Sequence, residues 1–462
     1  MNSIQLISPV DGSLYAERPL TSSQALDQAL RAARDAQRDW RQLPVEARAL
    51  YCLKAVEAML AMQEQIVPEL AWQMGRPVRY GAGELRGFAE RANHMISIAS
   101  EALADVVPPP IDGFKRYIRR EPLGTVLVVA PWNYPYLTAV NAIIPALMAG
   151  NAVLLKHASQ TLLVGERFAQ AFRTAGLPDG LFQNLVLDHG QTAALIASGH
   201  VQQVNFTGSV HGGQLMESAA AGHFIGMGLE LGGKDPAYVR ADANLQHAVE
   251  NLVDGSFFNS GQSCCGIERI YVDQAIYPAF VEAFVELTRQ YVLGNPLQEA
   301  TTLGPLVRTS AATFVRQQIA AACAGGARAL IDPASFTANA VDSPYLAPQV
   351  LVNVDHGMAV MREESFGPVV GIMPVSGDEQ AVGLMNDSPF GLTASLWSQD
   401  LARCEDLSQQ IEAGTLFMNR CDYLDPALAW TGVKHSGRGV SLSRIGYEHL
   451  TRAKSFHLRH SL

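Results

Sequence analysis

An alternation of apolar, strand-like runs with helix-periodic segments dominates the first half of the chain. The alternating segments are residues 126–130, 136–148, 152–156 and 163–175, and residues 184–187 and 201–207 extend the series. Short apolar runs separated by helices are typical of βαβ units, whose parallel strands are buried on both faces. The pattern therefore predicts an α/β fold built on a parallel sheet. Residues 21–41 add an amphipathic helix, with Thr21, Ser22 and Ser23 as candidate N-caps.

Length and charge limit the class of protein. At 462 residues the chain exceeds the size at which a single core keeps growing, so we expect two large units. The net charge is −10 and the basic residues are scattered, which argues against binding to nucleic acid or to an anionic membrane. The sequence has no signal-peptide pattern and no apolar run of membrane-spanning length, so we expect a cytoplasmic protein.

Cysteine and histidine usage favours a reducing compartment and no metal. The six cysteines lack paired spacings, and the twelve histidines lack ligand spacing. Four of the cysteines are expected to act as small apolar fillers of the core: Cys52, Cys323, Cys404 and Cys421.

The two remaining cysteines, Cys264 and Cys265, are adjacent and end the sequence Asn-Ser-Gly-Gln-Ser-Cys-Cys. Neighbouring side chains point apart in a helix or a strand, so one of the pair is free for another task. A reactive cysteine is a thiolate, which needs nearby dipoles, and Gly261 allows the backbone to approach closely. Glu230, upstream in Glu-Leu-Gly-Gly-Lys, adds a carboxylate. The combination suggests covalent catalysis with a separate base, although Glu230 also fits a surface carboxylate in a glycine turn.

Two further motifs stand near the ends of predicted elements. The sequence Pro-Trp-Asn-Tyr-Pro follows the run 126–130, so Asn133 would lie just beyond a strand's carboxyl end, where open α/β sheets bind ligands. An asparagine between prolines is also a common turn former. The second motif is Glu-Ser-Phe-Gly-Pro, which begins at Glu364 and is weak on its own.

Taken together and in this order, these motifs resemble those of the aldehyde dehydrogenase superfamily, and the resemblance extends from about residue 7 to residue 456. It implies a Rossmann-like parallel-sheet cofactor domain formed by residues 1–107 and 123–232. It also implies a second α/β catalytic domain of residues 233–435, and a small β oligomerisation arm of residues 108–122 and 450–462. An unpaired arm edge is a hazard in a monomer, so we expect a homodimer or a homotetramer.

The resemblance further implies an NAD(P)-dependent, non-acylating aldehyde dehydrogenase that forms a thiohemiacetal and then a thioester. The Cys264 thiolate would attack the aldehyde carbon. The Asn133 amide and the Cys264 backbone N–H would stabilise the oxyanion, and Glu230 would activate the hydrolytic water. A CoA-dependent relative would not need Glu230, so a free carboxylic acid is the expected product. Relatives carry a second acid near the C-terminus, where this chain has Ser441.

The cofactor implied by the resemblance is NAD or NADP. From the residues alone, a glycine-rich segment after the run 201–207 suggests either a pyrophosphate site at a helix N-terminus or a plain turn and helix cap. Many NAD-specific relatives carry glutamate at the position of Ser159, and a neutral hydroxyl beside Lys156 should allow NADP. The residues expected to bind the cofactor are Trp132, Lys156, Ser159, Gly208, Ser209, Gly213, Leu231, Glu364 and Phe366.

The substrate pocket implied by the resemblance combines two segments. Its expected residues are Tyr134, Leu137, Val140, Asn141, Arg420, Cys421, Tyr423, Leu424 and Trp430. Relatives that act on succinate semialdehyde tend to carry an arginine at the position of Asn141. Arg420 either replaces that charge or lies in solvent. We therefore expect broad oxidation of small aliphatic or aromatic aldehydes, with a carboxylate-bearing semialdehyde as the alternative. A non-catalytic protein retaining the fold is the third hypothesis, although Asn133, Glu230 and Cys264 are all present.

Overall fold

The computed structural model describes residues 3–461. The strands of the described part are β1 (Ser3–Ile7), β2 (Leu14–Pro19), β3 (Phe114–Pro122), β4 (Thr125–Val129), β5 (Ala152–Lys156), β6 (Phe182–Asn184), β7 (Gln203–Thr207), β8 (Gly226–Glu230), β9 (Asp235–Val239), β10 (Ile267–Asp273), β11 (Arg328–Ala329), β12 (Gln349–Val352), β13 (Val369–Val375), β14 (Phe390–Gly391), β15 (Thr393–Trp397), β16 (Thr415–Met418), β17 (Val433–Lys434), β18 (Gly437–Arg438) and β19 (Thr451–Arg459).

The α-helices of the described part are α1 (Ser23–Trp40), α2 (Val45–Leu60), α3 (Gln63–Met74), α4 (Val78–Ala102), α5 (Pro135–Met148), α6 (Leu162–Thr174), α7 (His189–Ala197), α8 (Val210–Ala220), α9 (Leu245–Phe257), α10 (Tyr277–Thr288), α11 (Thr309–Ala324), α12 (Ala359–Arg362), α13 (Asp378–Asn386) and α14 (Leu401–Ser408). Short 3₁₀ helices cover Ser159–Thr161, Phe258–Gly261, Pro333–Ser335 and Ile445–Leu450.

A six-stranded sheet with the order β18-β8-β7-β4-β5-β6 contains the predicted βαβ series. All of its pairs are parallel except β18 with β8. Strands β4 and β5 are buried along their whole length, as expected for β-branched and aliphatic runs covered on both faces. The predicted strand at residues 184–187 is the exception, because β6 ends at Asn184, which pairs with Leu155 at the end of β5.

A seven-stranded sheet with the order β11-β12-β13-β10-β9-β15-β16 forms the second half of the molecule. It is parallel apart from the β11–β12 edge. Its core packs large side chains from α9, α10 and β15, including Phe257, Phe284 and Trp397. The predicted α/β class with parallel sheets is therefore confirmed. The division of the chain at 232/233 remains a prediction; the strands on either side of it, β8 and β9, belong to different sheets.

The predicted arm segments pair with each other as an antiparallel ribbon of β3 and β19, in register from Phe114↔Arg459 to Pro122↔Thr451. Tyr117 and Phe456 stack across it with ring centroids 4.4 Å apart. Most of its side chains are exposed or partly exposed.

The structure confirms the expected start of the first helix, but it contradicts one of the expectations about buried cysteines. Helix α1 begins as predicted, because the Ser22 side chain accepts a hydrogen bond from the Ala25 N–H at 3.2 Å. Cys52 and Cys404 are buried, but Cys323 is exposed and is not a core filler. It follows the buried Ala322 on α11, and a step of one residue around a helix turns a side chain away from the buried face.

None of the helices formed by residues 3–461 combines the length and the hydrophobicity needed to cross a bilayer.

Candidate active site

A cavity of about 260 Å³ opens beside Cys264. It is lined by Gly87, Glu90, Arg91, Tyr134, Leu137, Thr138, Asn141, Thr207, Glu230, Asp254, Phe258, Ser263, Cys264, Cys265, Asp422, Tyr423, Leu424 and Trp430. The lining contains Cys264, Glu230 and six expected pocket residues. It comes from α4, α5 and α9, from strands β7 and β8, from the cysteine loop and from the loop after β16. Residues far apart in sequence thus face one space.

The loop that carries Cys264 has an unusual backbone. Three consecutive residues, Asn259, Ser260 and Gly261, have positive φ angles of 53°, 58° and 71°. This conformation is costly for residues other than glycine. A Cβ on Gly261 would lie 2.3 Å from the Gly367 carbonyl oxygen, so this position requires glycine. The turn lies between the end of α9 and the start of β10, and Cys264 follows it.

The two adjacent cysteines occupy different environments. Cys264 is partly exposed, whereas Cys265 is buried and its Sγ donates to Asp422 Oδ1 at 3.0 Å. The hydrogen bond with the Cys264 thiol and burial together raise the pKa of Cys265 well above its ordinary value. Burial also raises the pKa of Asp422 to about 6. Both cysteines line the cavity, but Cys264 is the one that is partly exposed.

Asn133 is buried beside the cysteine loop and is outside the cavity lining. Its Nδ2 donates to the Gln262 carbonyl oxygen at 3.1 Å. The Asn133 carbonyl in turn accepts from Arg76 Nη2 at 2.7 Å and from Asn259 Nδ2 at 3.2 Å. An amide nitrogen has two hydrogens, so one remains for another acceptor.

A buried ion pair between Arg76 and Glu84 fixes this arrangement. Glu84 Oε1 accepts from the backbone N–H groups of Tyr136 and Leu137 at 2.9 and 3.0 Å, and so caps the N-terminus of α5. Arg76 reaches the other way, to Asn133 and to Asn259 Oδ1 at 3.3 Å. The pair thus connects the strand-end segment of Asn133 with the cysteine loop.

Glu230 ends β8 and is held by two hydroxyl groups. Ser441 Oγ donates to Oε1, and Thr207 Oγ1 donates to Oε2 at 3.2 Å. Burial raises the pKa of Glu230, while these hydrogen bonds and the charge of Arg91 act in the opposite direction. Ser441 is itself fixed by two backbone hydrogen bonds of 2.9 Å with Trp430. Ser441 is therefore a direct and fixed partner of Glu230.

Lys156 is the last residue of β5, and Ser159 follows it closely in the chain. Lys156 is buried, and none of the residues 3–461 accepts a hydrogen bond from its Nζ. Burial lowers the pKa of this amine. An unpartnered buried ammonium is unfavourable, so this position fits a ligand with hydroxyl or phosphate oxygens. Ser159 begins the following 3₁₀ helix and is partly exposed.

The glycine-rich segment after β7 leads into α8, which begins at Val210. Ser209 Oγ accepts from the Gly212 N–H at 3.1 Å, so this residue caps the helix as the plain interpretation required. Gly208 is partly exposed at the strand end, whereas Gly213 is buried in the first turn of α8 against Leu231. The open N-terminus of α8 remains suited to an anion.

A second buried ion pair, Lys234 with Glu268, supports the loop of Glu364. The Glu268 carboxylate accepts from the Ser365 N–H at 2.8 Å and from the Phe366 N–H at 3.0 Å. Phe366 has a φ of 50°, and its ring packs edge-to-face with the Trp132 ring, with the ring centroids 5.6 Å apart. Glu364 accepts from the Gly233 N–H at 3.0 Å.

Burial raises the pKa of Glu364 to about 8. Hydrogen bonds from hydroxyl donors, such as those of a ribose, would stabilise the ionised form of this buried carboxylate. Lys156, Ser159, the N-terminus of α8 and Glu364 are groups of the kinds that bind a dinucleotide.

Three expected pocket residues lie elsewhere. Arg420 is exposed and its guanidinium lies 3.4 Å from the centre of the Tyr423 ring, so it is a surface residue outside the cavity lining. Val140 is buried in the core under the six-stranded sheet, because it faces away from the cavity on α5. The Cys421 thiol instead donates to the Asn251 carbonyl at 3.5 Å.

The sequence did not identify Arg91, Thr207 or the Arg76–Glu84 pair as part of the site. Thr207 stands in the glycine-rich segment already singled out, so its position was a usable signal. Arg91 lies in the middle of the 25-residue helix α4, where a single charged residue gives no local sequence signal of a functional role. Only the packing of α4 on α5 places it at the cavity.

Comparison with known proteins agrees with this geometry. Residues 1–456 match the model of the aldehyde dehydrogenase family. The chain is 32% identical over 442 residues to the succinate semialdehyde dehydrogenase [NAD(P)+] Sad of Escherichia coli (strain K12), covering 95% of this chain and 94% of that protein.

Two solved structures are similarly close. An NAD-dependent aldehyde dehydrogenase from Sinorhizobium meliloti superposes with a TM-score of 0.94 at 30% identity, over 100% of this chain and 92% of that chain. The NADP-dependent glyceraldehyde-3-phosphate dehydrogenase from Bacillus halodurans C-125, complexed with NADP, gives 0.93 at 29% identity, over 99% and 96%.

The Arg76–Glu84 pair yields a prediction about stability. Glu84→Gln removes the carboxylate charge and leaves a buried, uncompensated guanidinium, so the free energy of unfolding should fall by about 3–5 kcal/mol. Urea unfolding followed by tryptophan fluorescence measures the change. Glu101→Gln, at an exposed position of the same helix, is the control and should change the free energy by less than about 0.5 kcal/mol. A similar small loss for both variants would contradict the role given to the pair.

Proposed function

Because the chain belongs to the aldehyde dehydrogenase family, we propose that Cys264, Glu230 and Asn133 carry out its oxidation of an aldehyde to the free carboxylic acid. The observation that supports this most is the cavity, onto which both the accessible thiol of Cys264 and the buried carboxylate of Glu230 open. A nucleophile and a base facing one space are what covalent catalysis with a hydrolytic second half requires.

In the first half of the reaction the Cys264 thiolate adds to the carbonyl carbon of the aldehyde. The oxygen then carries the charge, and the free N–H of the Asn133 amide and the Cys264 backbone N–H stabilise it. Loss of one such donor typically costs about 3 kcal/mol. NAD or NADP, when bound, would be the oxidant, that is, an acceptor for the hydride that leaves the aldehyde carbon. The substrate is then a thioester of Cys264.

In the second half Glu230 takes a proton from water, and the resulting hydroxide attacks the thioester carbon. The carbon–sulfur bond breaks, the acid leaves and the Cys264 thiolate is restored. Ser441 and Thr207 fix the Glu230 carboxylate for this step, and they hold its pKa below the value that burial alone would impose.

NAD and NADP are both cofactors of the relatives described above. For this chain we assign the adenosine ribose to Lys156 and Ser159, the pyrophosphate to Gly208 and Ser209 at the start of α8, and the nicotinamide ribose to Glu364. The residues that pack around these groups are Trp132, Gly213, Leu231 and Phe366. Ser159 has no charge to repel a 2′-phosphate, so we propose that NADP is used at least as well as NAD.

Leu137, Leu424 and Trp430 give the cavity apolar surface, which fits the carbon chain or the ring of a small aliphatic or aromatic aldehyde. Each buried methylene contributes about 0.8 kcal/mol. We also propose a cytoplasmic homodimer or homotetramer that pairs through the two-stranded ribbon of β3 and β19.

The nucleophile assignment is tested by replacing each cysteine separately. Cys264→Ala should abolish aldehyde-dependent NAD(P)H formation, whereas Cys265→Ala should keep a substantial fraction, because its sulfur is buried against Asp422. Steady-state absorbance at the nicotinamide band measures both. Mass spectrometry after iodoacetamide treatment gives the second readout: labelling confined to Cys265 would overturn the assignment.

Glu230 and Ser441 yield a prediction about pH. Glu230 must be ionised to act as the base, so the hydrolysis rate should rise with pH through its raised pKa. Ser441→Ala removes a hydrogen bond that stabilises the carboxylate, so the pKa of Glu230 should rise further and the profile should shift to higher pH. Stopped-flow measurement of the burst and of the steady state separates hydrolysis from hydride transfer. Glu230→Gln should give a single burst and then stall. An unshifted profile in Ser441→Ala would contradict the role given to that hydroxyl.

Ser159→Glu tests the cofactor proposal. A carboxylate near the 2′-phosphate adds like-charge repulsion of about 1 kcal/mol or more, so kcat/KM for NADP should fall about fivefold or more while that for NAD changes less. Ser159→Ala is the control for loss of the hydroxyl. Equal losses for both cofactors, or strict use of NAD by the unmodified protein, would reject the proposal.

A further inference from the structure

Arg91 is the one cationic side chain among residues 3–461 that lines the cavity beside Cys264. It lies on α4 and only 9% of its surface is exposed. Its Nη1 donates to the Leu137 carbonyl oxygen at 2.9 Å, which holds the guanidinium against the first turn of α5. A charge of this kind inside a catalytic cavity is unusual, because arginine is seldom buried without a partner.

The remainder of the guanidinium has no partner in the described chain. No acceptor within residues 3–461 hydrogen-bonds Nε or Nη2, and no carboxylate oxygen there lies within 4.0 Å of the group. Glu84, on the same helix, is already paired with Arg76 and caps α5. Burying an unpaired cation is costly, so Arg91 retains a strong capacity to bind an anion.

Asn141 provides a second donor on the same wall. It lies one turn further along α5, and its Oδ1 is 3.5 Å from Arg91 Nη1. Its Nδ2 is buried and has no acceptor in the described part of the chain. The Nε and Nη2 groups of the guanidinium and the amide nitrogen of Asn141 thus lack acceptors in the described chain, and both are kinds of donor that a carboxylate accepts.

Four acidic residues of the described chain line the cavity, and three of them accept hydrogen bonds from other residues; the fourth, Asp254, forms no ion pair with Arg91. Asp422 accepts from Ser263 Oγ and Cys265 Sγ, each at 3.0 Å, so it belongs to the cysteine loop. Glu230 is held by Ser441 and Thr207, and the exposed Glu90 accepts from the Tyr423 hydroxyl at 3.1 Å. With one cation and one neutral amide available, the subsite matches a singly charged carboxylate better than a phosphate dianion.

We propose that Arg91, together with Asn141, binds the distal carboxylate of the substrate, so that the preferred substrates are aldehydes that carry a second, carboxylate end. The proposal rests on the function proposed above and names the substrate class. Arg91 acts in specificity: its planar donors can form a bidentate pair with a carboxylate, whereas an uncharged aldehyde leaves them unused.

The experiment compares matched aldehydes that differ in the distal carboxylate. The pairs are succinate semialdehyde with butanal and 4-carboxybenzaldehyde with benzaldehyde, and betaine aldehyde represents a cationic substrate. The unmodified protein should prefer the acid of each pair. In Arg91→Met the ratio of kcat/KM between acid and uncharged aldehyde should fall about 10- to 100-fold, mainly through KM, because a hydrogen-bonded charge pair is lost. Arg91→Lys should recover part of the preference.

Arg420→Ala is the matched control, since it removes an arginine that lies outside the cavity, and it should leave both ratios unchanged. An equal loss on acid and uncharged aldehyde in both Arg91 variants would show a structural role only and overturn the proposal. A preference of the unmodified protein for butanal, benzaldehyde or betaine aldehyde would also overturn it. In those cases Cys264-dependent oxidation of butanal would still support the proposed function, whereas its absence would refute that function separately. If Arg91→Met does not fold, Arg91→Lys carries the comparison alone: an unchanged ratio with a raised KM on both aldehydes refutes the proposal.

Discussion

The buried ion pair of Arg76 with Glu84 is the interaction on which the geometry of the active site depends. Glu84 binds the free N–H groups at the start of α5, and Arg76 binds the backbone of Asn133 and the side chain of Asn259. The strand-end asparagine and the cysteine loop are thereby fixed relative to each other. An ion pair removed from water is retained at a high desolvation cost, and its additional hydrogen bonds are what offset that cost here. The role of the Arg76–Glu84 pair is to position Asn133 and the cysteine loop.

The Lys234–Glu268 pair performs the equivalent task for the loop of Glu364, which we assign to the cofactor. Its carboxylate accepts the N–H groups of Ser365 and Phe366 and so supports a backbone with positive φ at Phe366. Strained conformations persist only where surrounding contacts impose them. Both pairs follow one principle: a buried charge that is fully satisfied by fixed partners makes a loop rigid, and the loop then presents the reactive or ligand-binding group.

Arg91 differs from these pairs because its charge is only partly satisfied. The neighbouring Glu230 has two hydroxyl donors, yet it remains accessible from the same cavity. The site therefore combines two kinds of charged group. Groups whose hydrogen-bonding capacity is filled by the protein hold the loops in position. Groups with free donors determine which ligand binds. Lys156 belongs to the second kind on the cofactor side, since its ammonium has no acceptor among residues 3–461.

The sequence alone determined the α/β class, strands β4, β5 and β7 with helices α5 and α6, and the family motifs around Cys264, Glu230, Asn133 and Glu364. These follow from local periodicity and from short segments whose residues act close to one another in the chain. It did not decide which arginine faces the cavity: Arg420 was a candidate by its position in a loop, yet it stacks on Tyr423 at the surface. Arg91 faces the cavity because α4 packs on α5. Burial and partner choice are set by contacts between distant segments, so only the tertiary structure could separate a solvated charge from a buried one.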